Sequence, residues 1–246
     1  MKKIRKFLIA IPVALALILI LIFMFYKGYL WPNSIFASSY SIRGIDVSHY
    51  QGDINWEQVA ANKEIEFTYI KATEGKDYID QTFQRNWEKS LKVGLYHGAY
   101  HYFTTKSLGS DQADNFIKTV PMENGCLPPV IDIEDAGAKK EVFVKNLNDF
   151  IEKIENTYHQ KPILYVVYPL YEKYIKGDFE EYSIWIRDIV TPPHMSDKRQ
   201  WLFWQYSNRG RINGDQRYYD FDVFKGSRKD FKELLSDNKS SINESY

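Results

Sequence analysis

The chain has 246 residues, with 32 Lys plus Arg set against 32 Asp plus Glu, and a single cysteine, Cys126. Zero net charge gives no sign of a polyanionic partner such as nucleic acid, and one cysteine excludes an internal disulfide framework. The core must therefore hold by packing, for which 19 Tyr, 15 Phe and 6 Trp supply the material, with sugar stacking a second use for some of these rings.

At the N-terminus, Lys2, Lys3, Arg5 and Lys6 precede an apolar run from Phe7 to Tyr26. The run is long enough to cross a bilayer of roughly 30 Å, and its flanking charge predicts a cytoplasmic N-terminus with the rest of the chain outside. An uncleaved membrane anchor is expected. The alternative is a secretory signal peptide, whose apolar core is usually about 7–15 residues; the small residues Ala37-Ser38-Ser39 would suit cleavage, and the domain would then be secreted. No cysteine directly follows the run, which excludes lipoprotein processing. Residues 1–40 thus read as basic end, transmembrane anchor and short linker, with the core wholly downstream. Residues 41–226 fit one barrel-sized domain. In 227–246 a short helical pattern, Phe231, Leu234 and Leu235, precedes a Ser/Asn/Glu-rich tail expected to be disordered.

Apolar or alternating runs predict strands near 42–47, 66–72, 94–102, 128–134, 162–167, 182–187, 201–206 and 218–223. Helices are predicted near 55–62, 80–92, 109–119 and 169–176. The clearest carries Val142, Phe143, Leu147, Phe150, Ile151, Ile154 and Tyr158 at three- and four-residue spacing. After the sixth strand the connections near 188–200 and 207–217 are too short for a helix with its turns. They also contain the breakers Pro192, Pro193, Gly210 and Gly214. The class is α/β: five β/α units, then a strand-rich end.

Asp132 and Glu134 stand two residues apart at the end of a strand, so both face one way, roughly 7 Å apart at the backbone. Asp46 ends the first strand. Carboxylates converging in one cleft disfavour one another's ionisation and leave a protonated acid near neutral pH, the requirement of glycosidic bond cleavage. Helix capping, pairing with Arg or Lys, and a Mg²⁺ or Ca²⁺ site are the other readings of such a cluster. His49, His97 and His101 match no compact metal-ligand spacing, so neither metal nor other cofactor is expected.

Five motifs in order then narrow the reading: Gly44-Ile-Asp-Val-Ser-His-Tyr-Gln-Gly-Asp-Ile-Asn-Trp56, Phe67-Thr-Tyr-Ile-Lys-Ala-Thr-Glu-Gly75, Gly98-Ala-Tyr-His-Tyr-Phe103, Pro129-Val-Ile-Asp-Ile-Glu134, and Trp204-Gln-Tyr-Ser207 leading to Asp220. Together they resemble glycoside hydrolase family 25, the muramidases or Chalaropsis-type lysozymes, over about residues 42–225. The resemblance implies a modified TIM-like (β/α)5(β)3 barrel, here preceded by one transmembrane helix, with its site at the C-terminal strand ends. It aligns the catalytic acid with Glu134 and supporting carboxylates with Asp46, Asp132 and Asp220. The family usually has Asp-Leu-Asn where this chain reads Asp220-Phe221-Asp222, so both acids are candidates for the cleft.

Burial and the neighbouring carboxylates are expected to hold the proton on Glu134. Tyr69, Tyr100, Tyr102, Tyr165 and Trp204, at or near strand ends, are candidates to stack on sugar rings. Lys71 is a candidate to pair with a cleft carboxylate or to form a structural ion pair. The implied substrate is peptidoglycan glycan, cut at the β-1,4 link after N-acetylmuramic acid, with retention, inversion and substrate assistance all open. A non-catalytic, membrane-held glycan-binding scaffold is the alternative, and a metal-dependent hydrolase a more distant one. The expected partners are glycan strands and the membrane, without nucleic acid, and the expected state is a monomer.

Overall fold

The computed structural model describes residues 2–240, and the side chains of residues 11–235. Helix α1 spans Lys2–Tyr26 and α2 spans Asn33–Ala37. The side chains of α1 from Ile11 onward are exposed and mainly apolar. Among the described residues no helix is long and apolar enough to cross a membrane. The basic cluster at Lys2–Lys6 and the tail beyond Ser240, both singled out above, lie outside the described side chains and residues.

The barrel follows. Its strands are β1 (Ile42–Val47), β2 (Ile65–Glu74), β3 (Tyr78–Ile79), β4 (Tyr96–Tyr102), β5 (Val130–Ile133), β6 (Ile163–Val166), β7 (Ile184–Arg187), β8 (Phe203–Gly210) and β9 (Tyr219–Phe224). Between them run α3 (Trp56–Ala61), α4 (Phe83–Lys92), α5 (Gly109–Thr119), α6 (Lys140–Tyr158) and α7 (Tyr168–Leu170), the last continuing as a π-helical turn over Tyr171–Ile175. Helix α8 (Arg228–Ser240) ends the described chain.

Parallel pairing runs from β1 through β2, β4, β5, β6 and β7 to β8. β9 inserts antiparallel between β8 and β1 and closes the ring at eight strands. β3 is a short flap paired only to the end of β2. Five β/α units followed by three strands without helices is the architecture expected from the sequence.

Period-two alternation divides the side chains into two cores. The outer core lies between sheet and helices. There α6 buries Phe143, Leu147, Phe150, Ile151, Ile154 and Tyr158, each worth about 1.5–3 kcal/mol when fully withdrawn from water. The inner core fills the barrel with aromatic rings. Tyr69 lies 4.9 Å from Trp185, and Trp185 lies 5.5 Å from Phe203. Gly98 makes room for this layer, because a Cβ there would sit 2.5 Å from the Tyr69 ring. From below, Phe231 of α8 inserts against Phe67, Phe224 and Tyr96, with centroids 5.7, 5.2 and 5.5 Å away. The C-terminal helix is thus the plug of the barrel, not an appendage after residue 226.

The lower boundary also moves. The domain expected to start at residue 41 includes residues 31–40. Asn33 and Ala37 are buried, and the Asn33 amide donates to the carbonyls of Asp188 and Tyr206 at 2.9 and 3.3 Å. Trp31 Nε1 donates to the Tyr206 carbonyl at 2.7 Å. This segment covers the wall around β8, where no helix follows β7.

Candidate active site

The alternation that buries the aromatic layer places polar side chains directly above it, at the C-terminal ends of the parallel strands. Asp46 comes from β1, Lys71 from β2, Tyr100 and Tyr102 from β4, Asp132 and Glu134 from the end of β5, Tyr165 from β6, Arg187 from β7 and Gln205 from β8. β9 runs the other way, so its first residues reach the same end. Asp220 accordingly pairs with Asp46 across the ladder, and Asp222 pairs with Gly44 one layer down. Together they bound a cleft of about 510 Å³.

Asp220 lines the cleft, and Asp222 lies fully buried beneath it. Neither Asp222 oxygen makes a hydrogen bond of ordinary geometry, nor does the neighbouring Trp185 indole N–H. Asp46 is held by a short relay. The Tyr165 hydroxyl donates to Gln205 Oε1 at 3.0 Å, and Gln205 Nε2 donates to Asp46 Oδ2 at 2.7 Å. At the end of β5, Asp135 accepts from the Thr105 N–H and hydroxyl at 2.8 and 2.7 Å. That contact fixes the loop carrying Glu134.

Electrostatics follow from the apolar floor. Burial raises Asp46 to about 6, against the hydrogen bond from Gln205 and the close approach of Asp222, which lower it. Burial raises Asp220 to about 8, with Asp46 adding to the rise and Arg187 opposing it. Asp132 is pushed well above the usual carboxylate range by burial, then by Glu134 and Asp46, against the pull of Lys71. Asp222 is likewise pushed far up, by burial and by Asp46 and Asp220. The cluster therefore retains protons near neutrality. Burial was expected at Glu134, but Glu134 is exposed at the cleft mouth. The desolvated carboxyls are those below it.

Two of the expected sugar-stacking rings lie elsewhere. Trp204 points outward from β8 and is fully buried against Tyr40, Trp201 and Tyr206, its Nε1 donating to the Asp188 carbonyl at 2.7 Å. Tyr69 points inward but one layer too low, inside the floor, with its hydroxyl donating to the Pro128 carbonyl at 3.2 Å. Tyr100, Tyr102 and Tyr165 do line the cleft. Lys71 pairs with Glu74 at 2.7 Å and lies 4.8 Å from the Tyr102 ring centroid. Three contributors were missed. Arg187 and Gln205 satisfy the same strand-end rule that singled out Asp46, and a search for acids alone passed over them. Tyr50, 83 % exposed on the cleft rim, follows β1, where Ser48 and Gln51 form a reciprocal cap.

A closed β/α barrel with proton-holding carboxyls at the C-terminal strand ends and tyrosines around them fits a glycoside hydrolase. Glycosyl hydrolases family 25 matches residues 45–215, and the chain belongs to that family. Among solved structures, a family 25 glycosyl hydrolase from Bacillus anthracis is 41 % identical, with a TM-score of 0.76 over 79 % of this chain and 94 % of that one. Lysozyme M1 of Streptomyces globisporus is 31 % identical over 207 residues, covering 78 % of this chain and 70 % of its own. YegX of Escherichia coli strain K12, described as uncharacterized, is 36 % identical over 210 residues, covering 83 % and 77 %. The protein is a glycoside hydrolase of the muramidase, or lysozyme, class.

Proposed function

We propose that the enzyme hydrolyses the β-1,4 bond between N-acetylmuramic acid and N-acetylglucosamine in peptidoglycan while tethered to its own membrane through α1. The observation that carries the chemistry is the vertical order of the carboxyls: exposed Glu134 at the mouth, and Asp132, Asp46 and Asp220 on the apolar floor. In this reading Glu134 donates a proton to the glycosidic oxygen as its bond to the anomeric carbon breaks, and regains one from the water that then attacks that carbon. Asp132 faces the sugar from the same strand. Positive charge developing at the anomeric centre, or on an oxazolinium formed from the substrate's N-acetyl group, offsets the repulsion from Glu134 and Asp46 and so favours ionised Asp132 in the transition state, its proton having left to solvent through the open cleft. The Tyr165–Gln205–Asp46 relay holds Asp46 in place for this rearrangement.

The tether rests on the apolar run Phe7–Tyr26 and the exposed apolar faces of α1. It places the barrel outside the cytoplasmic membrane, within reach of the producing cell's own wall. Fractionation tests it, because the intact chain should leave the membrane only with detergent. Release by salt or alkali alone would remove the tether.

The reaction is tested on purified sacculi by mass spectrometry of released muropeptides. The expected products carry new reducing-end N-acetylmuramic acid. Glu134→Gln keeps the shape of the side chain without its proton and should slow release at least about a hundredfold. New reducing-end N-acetylglucosamine, or near-normal turnover by the variant, would overturn the assignment.

A further inference from the structure

We propose that His97, Glu123 and Cys126 form a binding site for a thiophilic divalent cation of the Zn²⁺ class, which staples the loop before β5 to the outer wall of the barrel. His97 projects from the outer face of β4, away from the cleft. The Leu127 N–H donates to the His97 carbonyl at 2.8 Å, a backbone contact that sets Cys126 beside the imidazole. Gly125, at φ 82°, turns the chain in the left-handed region, and Glu123 comes back to the same place. One ligand atom from each of the three residues lies within 4.8 Å of the other two.

The surroundings already do what metal sites require of them. Ser90 donates its hydroxyl proton to the Trp87 carbonyl at 3.0 Å. Ser90 lies 3.1 Å from His97 Nδ1 and, with its own proton on the Trp87 carbonyl, accepts from an Nδ1–H. In that tautomer Nε2 keeps its lone pair for a metal. Trp87 packs on the imidazole at 4.1 Å and donates its Nε1–H to Glu123 Oε2 at 3.3 Å, orienting a second ligand. By contrast, both ring nitrogens of His101 are engaged, by Thr73 and Gln112. Metal–ligand bonds of about 2.0–2.3 Å in a tetrahedron put ligand atoms about 3.3–3.8 Å apart, so closing on the ion requires a contraction of about 1 Å. Glu123, half-exposed in a loop, can supply that movement. Thiolate, imidazole and carboxylate together suit zinc, with water as fourth ligand. On binding, the Cys126 S–H proton leaves to solvent and the sulfur's electron pair goes to the metal.

The test uses the full-length protein in detergent, stripped with a chelator and titrated with Co²⁺ and then Zn²⁺. The expected result is one equivalent of Zn²⁺ per chain and, for Co²⁺, the near-ultraviolet charge-transfer band of a cobalt thiolate. His97 is buried, so Cys126→Ser and Glu123→Gln carry the test. Cys126→Ser should abolish the band, and each variant should weaken Zn²⁺ binding at least about tenfold, with peptidoglycan hydrolysis unchanged. No uptake by wild type, or equal uptake by wild type and Cys126→Ser, would overturn the site.

Discussion

Asp222 is a carboxyl whose shape a neutral side chain, asparagine, nearly reproduces. It is buried under the cleft and surrounded by Asp46, Asp220 and Trp185. Its folded-state pKa is raised, so the folded chain keeps a proton that the unfolded chain releases above about pH 4. The stability this proton provides is present at low pH and is lost as pH rises. Asp222→Asn removes that dependence and retains a donor towards Asp46. It should stabilise the protein by about 1–3 kcal/mol at pH 8, in line with replacing a buried charge-bearing group by a neutral isostere, and by close to nothing at pH 4. Denaturant melts at the two pH values decide it. Equal gains at both would place the effect in packing, and a loss at pH 8 would mean that the acid itself is needed.

Among the elements, the segment from Trp31 to Tyr40 carries the clearest consequence. It lies where a barrel of repeated β/α units would place a helix after β7, and it joins Trp201, Trp204 and Tyr206 in covering that wall. Deleting residues 1–39 removes the hydrogen bonds of Trp31 and Asn33 and the buried Ala37; deleting residues 1–28 spares them. The shorter deletion should melt about 4–16 °C higher, because the longer one loses roughly 2–4 kcal/mol of contacts at about 2–4 °C per kcal/mol for a domain of this size. Equal melting temperatures would make the segment a mere linker.

In the sequence this role was hidden, because Trp31, Ile35, Phe36 and Ala37 follow closely on the apolar run Phe7–Tyr26 and show no period of their own. Helix α6 was legible for the opposite reason: six buried side chains recur at helical spacing over Lys140–Tyr158. All eight barrel strands were legible too. What the strands withheld was phase. Phe203, Trp204, Gln205 and Tyr206 put an aromatic on both faces of β8, so alternation alone does not say which points inward, and Trp204 was given to the cleft in place of Gln205. The acids were legible because strand-end carboxylates are scarce. The depth of Asp132 relative to Glu134 was not, since it depends on the aromatic floor assembled from four other strands.

For the whole molecule, the acid cluster exists only when the barrel closes. Asp46, Asp132, Asp220 and Asp222 come from β1, β5 and β9, and unfolding returns all four to water. Their effect therefore belongs to the global transition. Burial raises Asp46 to about 6 and Asp220 to about 8 and pushes Asp132 and Asp222 up as well. For each, the folded state binds more protons than the unfolded state above about pH 4, so stability falls as pH rises through the folded values. Two histidines act in the other direction. Burial lowers His97 to about 4 and His101 to about 3, so their contribution is present above about pH 6.5 and is lost as pH falls towards those values. Four carboxyls outnumber two imidazoles, which sets the sign of the sum. The melting temperature should fall steadily from about pH 5 to pH 8, with its maximum on the acid side of the usual range of about pH 5–8. The slope should be shallower in Asp222→Asn, which contributes one titrating group fewer. A bound glycan should change it again by covering Asp46, Asp132 and Asp220. Calorimetry of wild type and variant across that range is the measurement. A flat or rising wild-type profile would mean that water reaches the floor of the cleft and that the four carboxyls ionise there as they do in the unfolded chain.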